Sequence, residues 1–489
     1  MSESHSRVAR AAAWSIGGSG LQYAVSFALL VYLAHILEPR DFGLIATVGI
    51  GLDLGIRIAR WGQVELLQQE RYRNEQARNQ SLRLSLALGA LFCLLFLIVA
   101  KPIGAAYRSD ALTTMMLVSA PVFLFSAAGS TAEALLRTEY RFRLIAVRNT
   151  VTALIGALVA IVLVRLGYGV IALALQRLIQ AAIASLWVWT ALDWRPRIGG
   201  RLGWSRDLYR EGTQIMLGTL MPLLVPRSID LVVGAFIGAT QLGLMRVGTR
   251  INDFVGQIVV MPLVSVANTH LSTLHDDLAK MRRSYLRLTQ ASAVLMCPAL
   301  VGLSLVAREA IPLLFGPQWV GSIPFVEVTG LLGVVAPINY YFAPTMMALG
   351  RSKLVFRQGV MQVALGLVLA LAGAMVSLVA VAVANLVRAG IVAGWNLIEL
   401  RRAMGLPLRE VAAFLAPPYV GTLVMAAVVL GLRAFVGDDL GAVARLALLS
   451  TAGAAAYAIV IVGGKWLGLW AKDANLSLGG LGRRILPAR

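Results

Sequence analysis

Seven arginines lie inside stretches of the chain that are otherwise apolar, which is an unusual place for a permanent positive charge. They are Arg57, Arg60, Arg177, Arg227, Arg246, Arg250 and Arg388. A guanidinium carries five N–H donors in a planar fork and can bind two phosphate oxygens at once. Because few carboxylates accompany them, these side chains predict a cationic cavity inside the membrane that suits an anionic cargo.

Exposing these charges to lipid would cost much free energy. Each arginine at the centre of a membrane-spanning helix costs about 2.5–3.5 kcal/mol. Seven of them facing lipid would cost on the order of 20 kcal/mol, which exceeds the stability of a typical protein. Arg60 and Arg246 lie near the ends of predicted spans and could reach the membrane surface by snorkelling. Arg57, Arg177 and Arg388 are harder to explain in this way, so we expect them to face a partner or an aqueous cavity.

Four carboxylates are candidates for binding a proton or a sodium ion inside the membrane. They are Asp53, Asp230, Asp253 and Glu327. The same side chains could instead neutralise arginines. Asp230 follows Arg227 by about one helical turn. Asp253 follows Arg250 at the same spacing, so both acids could belong to structural ion pairs.

The whole chain has the composition of a membrane protein. Of its 489 residues, 58% are hydrophobic and only 14% are charged, and the mean hydropathy is +0.76. Apolar runs of about 20 residues recur along the chain, and each could cross a hydrocarbon core of ~30 Å. Every backbone group in lipid needs an internal partner, so these runs are predicted to be helices. The sequence predicts an all-α polytopic membrane protein with about fourteen spans: 14–37, 42–64, 82–104, 111–133, 147–166, 168–192, 213–238, 243–266, 285–307, 322–347, 355–375, 377–399, 412–434 and 442–463.

The basic residues indicate the orientation in the membrane. The net charge is +20, and most of the 44 lysines and arginines fall at the two ends of the chain and in the loops after even-numbered spans. Basic residues concentrate on the cytoplasmic side of membrane proteins, so both termini are predicted to be cytoplasmic. In a chain this apolar, the excess positive charge indicates contact with anionic membrane lipid rather than with nucleic acid.

Little else in the sequence could perform chemistry. The two cysteines, Cys93 and Cys297, both lie in apolar runs, which argues against a disulfide framework or a thiolate metal site. The four histidines form no cluster with the spacing of metal ligands. No hydrophilic stretch is long enough for a soluble catalytic domain. We therefore expect no metal, no cofactor and no enzymatic activity.

The chain repeats itself at a spacing of just over 200 residues. Three pairs of segments align in order: 33–44 with 233–244, 82–93 with 286–297, and 172–187 with 380–395. The first pair places Asp53 over Asp253. Each repeat contains six predicted spans, an even number, so both halves enter the membrane in the same sense and are related by an axis along the membrane normal.

The repeat defines the predicted domains. They are an N-terminal six-helix lobe at 1–192, a cytoplasmic linker at 193–212, a C-terminal six-helix lobe at 213–400, and a segment at 401–489 with two extra spans and a cytoplasmic tail. Transporters built from such repeats place their substrate site between the halves, near the middle of the membrane. The arginines would then line a central cavity.

Several segments resemble the polysaccharide flippases, the Wzx-like family of the multidrug/oligosaccharidyl-lipid/polysaccharide (MOP) superfamily. LAHILEPRDFGLIA (33–46) is similar to that family's first-loop signature, Leu-x4-Phe-Gly. LLFGPQW (313–319) and MALGRSKL (347–354) are similar to its markers around the tenth span. The resemblance covers roughly residues 10–430, and the two extra spans resemble those of the lipid II flippase, where added helices form a groove for the lipid tail.

The resemblance implies a function and a location. Such a protein would pass an undecaprenyl-pyrophosphate-linked oligosaccharide from the inner to the outer leaflet of the bacterial cytoplasmic membrane through a cationic cavity. The glycan would serve exopolysaccharide or lipopolysaccharide biosynthesis. The implied partners are the lipid-linked oligosaccharide, membrane lipids, and the polysaccharide polymerase and export machinery.

Two other classes of function remain open from the sequence. A drug or metabolite antiporter of the same superfamily would have the same fold, although exporters of cationic drugs favour acidic cavities. A membrane polysaccharide polymerase or ligase usually carries a sizeable periplasmic loop, whereas the longest outer loop here is about a dozen residues, around Gly316. Trp319, Tyr340 and Tyr341 could stack on sugar rings, or they could serve packing and the membrane interface.

Overall fold

The computed structural model of the protein describes residues 20, 22–196, 206–436 and 440–466. Over these residues the regular structure is helical and contains no strand, which confirms the predicted all-α class. Some sequence predictions fall outside the described residues. They concern the start of the first span at 14–19, the part of the linker at 197–205 and the C-terminal tail at 467–489.

The chain divides into two compact units, Met1–Arg246 and Val247–Arg489. The helices of the first unit are α1 (Gln22–Ala34), α2 (Pro39–Ala59), α3 (Gln63–Leu66), α4 (Glu75–Ala106), α5 (Asp110–Ser119), α6 (Val122–Thr138), α7 (Phe142–Leu163), α8 (Ile171–Thr190) and α9 (Arg206–Phe236). A 3₁₀ turn at Glu70–Tyr72 precedes α4, and a π-helical segment at Val164–Tyr168 follows α7.

The next helix, α10 (Ala239–Val255), begins in the first unit and ends in the second. A π-helical segment at Gly256–Val260 joins it to α11, and a 3₁₀ segment at Pro317–Ser322 precedes α14. The helices of the second unit are α11 (Met261–Ser272), α12 (Leu278–Leu305), α13 (Ala307–Phe315), α14 (Ile323–Thr329), α15 (Leu332–Tyr340), α16 (Phe342–Ala348), α17 (Ser352–Ala374), α18 (Leu378–Met404), α19 (Leu408–Phe435) and α20 (Ala442–Trp466).

Within the described residues, eleven helical segments are long and apolar enough to cross a membrane. A bent pair, Pro317–Thr329 and Leu332–Ala348, changes direction by 56° and makes a twelfth if it crosses as one span. The predicted polytopic architecture is therefore confirmed. The predicted count of fourteen includes two further spans beyond these twelve. They are the first predicted span, whose described part is the helix Gln22–Ala34, and the eighth predicted span at 243–266. The eighth coincides with α10 and α11, whose charged residues lower its hydropathy, and the count of fourteen stays a prediction.

Large apolar side chains form the core of the first unit. Helix α6 packs against α4 and α8, while α2 packs against α4, α5, α6 and α9. Phe123 of α6 is fully buried and meets Phe96 of α4 edge-on, with ring centroids 5.1 Å apart. Leu52 of α2 and Met115 of α5 belong to the same core. This packing fixes α2 on several sides and so orients the polar residues that it carries.

Two glycines allow the first turns of α2 and α10 to touch backbone to backbone. A Cβ at Gly43 would lie 1.7 Å from the carbonyl oxygen of Ala239, and a Cβ at Gly243 would lie 1.8 Å from that of Pro39. The internal repeat makes Gly43 equivalent to Gly243 and Pro39 equivalent to Ala239, so the contact is symmetric. Small residues let helix backbones approach closely in membranes. The glycine of the Phe-Gly signature therefore has a packing role.

The second unit has its own core, to which the two extra helices are attached. Tyr285 of α12 is fully buried and donates a hydrogen bond to the carbonyl oxygen of Ile338 at 3.0 Å. Helix α19 packs against α12, and α20 packs against α19. Tyr457 of α20 also donates to the carbonyl oxygen of Val294 in α12 at 2.8 Å. Only 11% of the most apolar part of α20 is buried, so most of this helix is available to lipid.

Charges hold the ends of α19 and α20 to α13. The Glu309 carboxylate accepts a hydrogen bond from Arg433 at 3.0 Å and lies 3.3 Å from Nε of Arg445. Glu309 is buried, and both arginine side chains are largely buried. Ion pairs of this kind favour a fixed position for the extra helices within the second unit.

The boundary between the two compact units lies within α10, after Arg246. Helix α9, which the sequence analysis assigned to the C-terminal lobe, packs against α2 and belongs to the first compact unit. The compact units are defined by contacts, whereas the predicted lobes are defined by the sequence repeat. The two divisions can differ, because a helix of one repeat can pack against helices of the other. The lobe limits at 192 and 213, which were inferred from the sequence repeat, stay a prediction.

Candidate functional site

A largely buried row of alternating charges, with Asp53 at its more exposed end, connects α2, α9 and α10 within the first unit. Arg227 is ion-paired with Asp53 and, at 2.8 Å, with Asp230. Nη1 of Arg246 lies 3.4 Å from the Asp230 carboxylate. Asp230 is only 2% exposed. Two carboxylates balance two guanidiniums here, so the row compensates these charges internally and favours a structural role for Arg227 and Arg246.

A second carboxylate in the first unit collects three arginines. Glu133 of α6 lies 2.8 Å from Arg137, 3.4 Å from Arg148 and 4.0 Å from Arg60. Nε of Arg60 also donates to the hydroxyl of Ser126 at 3.2 Å. This cluster was not predicted from the sequence, because Glu133 lies at the end of a predicted span, although its i,i+4 spacing to Arg137 was a usable signal. Arg60 is therefore attached to α6 by a hydrogen bond and an ion-pair contact.

Asp53 and Arg57 of α2 lie on the same face as Gly49 and as Arg60, the residue that caps the helix. These four residues follow one another at intervals of about one turn. The Arg177 guanidinium of α8 lies beside Gly49, with Nη1 and Nη2 at 3.4 and 3.5 Å from the position that a Cβ would occupy. Glycine thus leaves room for this arginine. Since this face meets side chains of α8 and α9, it is turned toward neighbouring helices.

Within the described residues, two of the seven arginines are exposed and make no hydrogen bond or ion pair. Arg57, in the first unit, makes no hydrogen bond or ion pair within the part of the chain that the structure describes. Arg250, in the second unit, has none either among the described residues. Each therefore keeps all five N–H donors for a ligand. Arg60, Arg227 and Arg246 differ, because each has a carboxylate within ion-pair distance.

The second unit contains a cavity of about 390 Å³ between α10, α12, α15, α17 and α18. Its polar lining side chains are Asn252, Asp253, Gln257, Asn339, Tyr340, Gln362 and Arg388. Met296 and Leu300 of α12 contribute apolar surface. The cavity brings together three residues that were singled out from the sequence, namely Asp253, Tyr340 and Arg388. Gln257 follows Asp253 by about one helical turn, so the sequence already placed it on the same face, whereas Asn339 and Gln362 lie on helices far away along the chain and could not be found from the sequence.

Amide oxygens hold the guanidinium of Arg388. Nε and Nη2 donate to Oδ1 of Asn385 at 3.1 and 2.8 Å, and Nη1 donates to Oε1 of Gln362 at 3.4 Å. These bonds use three of the five N–H groups of the guanidinium, which leaves two for a ligand. The side chain is therefore oriented by neutral partners and keeps its positive charge at the cavity wall.

The other predicted residues lie apart from these sites. Glu327 pairs with Arg308 at 3.0 Å, and both side chains are partly exposed, so the pair contributes about 0–1 kcal/mol. Trp319 and Tyr341 are fully buried and serve packing, whereas Tyr340 lines the cavity. Within the described residues, no group of three His, Cys, Asp or Glu side chains is placed to hold a metal ion.

Sequence comparison decides the family. A sequence model described as "Polysaccharide biosynthesis protein" matches residues 32–324. The chain belongs to the polysaccharide biosynthesis protein family. Relatives include the succinoglycan biosynthesis transport protein ExoT of Rhizobium meliloti (strain 1021), which is 22% identical over 350 residues covering 71% of each chain. The lipopolysaccharide biosynthesis protein WzxC of Escherichia coli (strain K12) is 20% identical over 349 residues, again 71% of each chain.

Solved structures of the MOP superfamily share the fold of this polysaccharide biosynthesis family member. The lipid II flippase MurJ, in an inward closed conformation, aligns with a TM-score of 0.72 and 11% identity, over 92% of this chain and 98% of its own. An inward-facing multidrug resistance MATE family transporter aligns with a TM-score of 0.60 and 15% identity, over 78% and 95%. These two likenesses show the fold, while the family model and the named relatives confirm the resemblance to Wzx-like polysaccharide flippases.

Proposed function

We propose that this protein is a flippase that moves a lipid-linked oligosaccharide from the inner to the outer leaflet of the bacterial cytoplasmic membrane. Its family, and relatives named for succinoglycan transport and lipopolysaccharide biosynthesis, support a role in exopolysaccharide or lipopolysaccharide synthesis. The observation that carries the proposal is a pair of exposed guanidiniums without carboxylate partners in the described residues: Arg57 in one unit and Arg250 in the other.

The proposed cargo is an undecaprenyl-pyrophosphate-linked oligosaccharide, whose pyrophosphate is the most difficult part to move. With about two negative charges, it would cost many kcal/mol to bring unpaired into the membrane interior. A charge-assisted hydrogen bond contributes about 1.5–3 kcal/mol, so two or three guanidiniums offset a large part of this cost. Arg57 and Arg250 have donors available for this purpose, and Arg177 lies on the same side of α2 as Arg57.

Transport also requires release of the cargo. Because the available arginines are distributed over two units, we propose alternating access in which the set of guanidiniums that contacts the pyrophosphate changes during the cycle. Coupling to a proton or sodium ion would need a carboxylate with access to water. We propose Asp253 as the coupling candidate, because it is exposed and lines the cavity of the second unit.

Arginine removal tests the proposed function. Arg57→Ala and Arg250→Ala should each reduce polysaccharide export about ten- to a hundredfold, the range expected for the loss of one charge-assisted bond. Export is measured in a flippase-deficient strain complemented with each variant, together with membrane abundance and accumulation of the lipid-linked intermediate. Arg57→Lys and Arg250→Lys should keep part of the activity, because the charge remains.

Arg409→Ala is the matched control, because Arg409 is also exposed and has no partner in the described residues, yet lies at the start of α19. It should export normally. Normal export by both Arg57→Ala and Arg250→Ala at normal abundance would show that these guanidiniums do not contact the cargo.

We also propose that both termini are cytoplasmic, as the distribution of basic residues predicts. The turn between α11 and α12 and the turn between α4 and α5 would then lie on opposite sides of the membrane. A cysteine placed by Asp276→Cys should resist a membrane-impermeant thiol reagent added to intact spheroplasts, whereas one placed by Arg108→Cys should react. Both positions are exposed, so access is comparable. The reverse labelling pattern would invert the topology.

A further inference from the structure

The cavity of the second unit is polar, but its wall has little net charge. Asp253 contributes one negative charge and Arg388 one positive charge, while the other polar lining groups are amides and a tyrosine. Because these two charges oppose each other, the wall offers a pyrophosphate little net attraction. A neutral, polyhydroxylated group would instead meet both acceptors and donors, which is what each of its hydroxyls requires.

The internal repeat shows how the same positions differ in the two halves. The equivalent pairs are Arg57 and Gln257, Arg177 and Asn385, and Gln180 and Arg388. The first half therefore has two arginines where the second has amides, and the second has one arginine where the first has an amide. At these three pairs the exchange leaves the second half with one arginine instead of two and with two amides instead of one, and Gln257 and Arg388 of these positions line the cavity.

The cavity wall is held in place by further amides. Gln358 donates to Asn396, and Asn396 donates to Asn339, each at 2.8 Å. Asn339 also donates to the carbonyl oxygen of Ala389 at 3.3 Å. Asn396 is fully buried, so this chain of amides fixes the orientation of Asn339 at the wall. A preorganised polar wall of this kind provides specificity for the arrangement of hydroxyl groups on a ligand.

Two local features indicate that the wall is made for a ligand. The π-helical segment Gly256–Val260 adjoins the cavity and contributes Gln257, and such segments occur frequently at functional sites. Oδ1 of Asn252, another wall residue, is a buried acceptor without a hydrogen-bond partner among the described residues. An unsatisfied buried acceptor is costly, and a ligand hydroxyl could supply the missing donor.

The position of Arg250 indicates which part of the cargo would enter. Arg250 lies about one turn before Asp253, and Gln257 lies about one turn after it, so all three share one face of the helix. A pyrophosphate at Arg250 would therefore place the attached sugar next to the cavity. The volume of about 390 Å³ is near the lower end of the ~300–1,000 Å³ range of ligand pockets, which suits one or two sugar rings.

We propose that this cavity binds the sugar attached to the lipid pyrophosphate, and that Gln257, Asn339 and Arg388 recognise its hydroxyl groups. Met296 and Leu300 would cover the C–H face of the ring. The inference rests on the proposed flippase function and deepens it, because it assigns the pyrophosphate and the first sugar to different groups of the protein. The cavity then takes part in selecting the glycan.

The test compares two kinds of probe on the full-length protein in lipid nanodiscs. One is undecaprenyl pyrophosphate without sugar, and the other is the same lipid carrying a single glucose, galactose or N-acetylglucosamine. The wild type should bind one of the sugar-bearing probes about tenfold more tightly than the bare lipid. Gln257→Ala and Asn339→Ala should each lose most of this preference, since one well-formed hydrogen bond changes affinity by up to about tenfold.

The controls separate a sugar contact from general damage. Val387→Ala removes a 46% exposed side chain of the cavity helix α18 and should leave both affinities unchanged. Affinity for the bare lipid should stay at the wild-type level in Gln257→Ala and Asn339→Ala, which also shows that the variants are folded. Asp253 is left unchanged, because it is the coupling candidate.

The outcomes also distinguish the two proposals. Equal binding of bare and sugar-bearing lipid by the wild type, or an unchanged preference in both cavity variants, overturns the sugar site and leaves the flippase proposal standing. Failure of the wild type to bind any of these lipids overturns the flippase proposal and the sugar site with it. A preference that disappears only in the cavity variants supports both.

Discussion

Asp230→Asn is expected to destabilise the protein by about 3–5 kcal/mol, the usual effect of removing one partner from a buried ion pair. Asp230 lies between Arg227 at 2.8 Å and Arg246 at 3.4 Å and is 2% exposed. Without its carboxylate, this cluster would hold two guanidiniums against Asp53 alone. The measurements are membrane abundance and the thermal midpoint of the detergent-solubilised protein.

A charge-balanced second substitution distinguishes this explanation from simple loss of packing. Asp230→Asn combined with Arg246→Gln leaves one carboxylate for one guanidinium, so it should recover much of the stability lost by Asp230→Asn alone. Glu327→Gln is the control, because it removes a partly exposed ion pair and should change stability by no more than about 1 kcal/mol. An Asp230→Asn protein as stable as the Glu327→Gln protein would mean that the cluster has no structural role.

Much of the fold could be read from the sequence, because in lipid the backbone must be helical and apolar runs mark where it crosses. Every predicted span overlaps a described helix. The predicted span at 243–266 contains Arg246, Arg250 and Asp253. These charged residues lower its hydropathy, and they are also the reason why it is a candidate functional segment. Helix breaks such as the 56° bend were beyond sequence reasoning, since they depend on packing.

The site could be predicted less well, because spacing along one helix reveals only local pairs. The spacing of Arg227 and Asp230 allowed an ion pair, and the structure contains it. The pairing of Arg227 with Asp53, 174 residues away, depends on how α2 packs against α9. The cavity around Arg388 likewise depends on the meeting of helices distant in sequence, and its neutral amides carry no signal comparable to a charge in an apolar run.

Gly43→Ala and Gly243→Ala are each expected to destabilise the protein by about 1–3 kcal/mol or more, as overpacking of a close contact does. The added methyl would lie 1.7 or 1.8 Å from a backbone carbonyl oxygen, where no side-chain rotation can relieve the clash. The first turns of α2 and α10 must therefore move apart by more than 1 Å. Gly218→Ala in α9 is the matched control, because nothing lies within 4 Å of its added Cβ and alanine favours the helix.

The symmetry of this contact gives the prediction a sharper form. In the Gly43→Ala protein the first turns of α2 and α10 have already moved apart. The methyl group added by Gly243→Ala then meets a carbonyl oxygen of Pro39 that lies farther away. The double variant should therefore be destabilised by clearly less than the sum of the two single variants, as coupled neighbouring sites are. Thermal midpoints and membrane abundance of the four proteins measure this coupling. Single variants as stable as Gly218→Ala, or strictly additive effects, would show that α2 and α10 do not meet at these glycines.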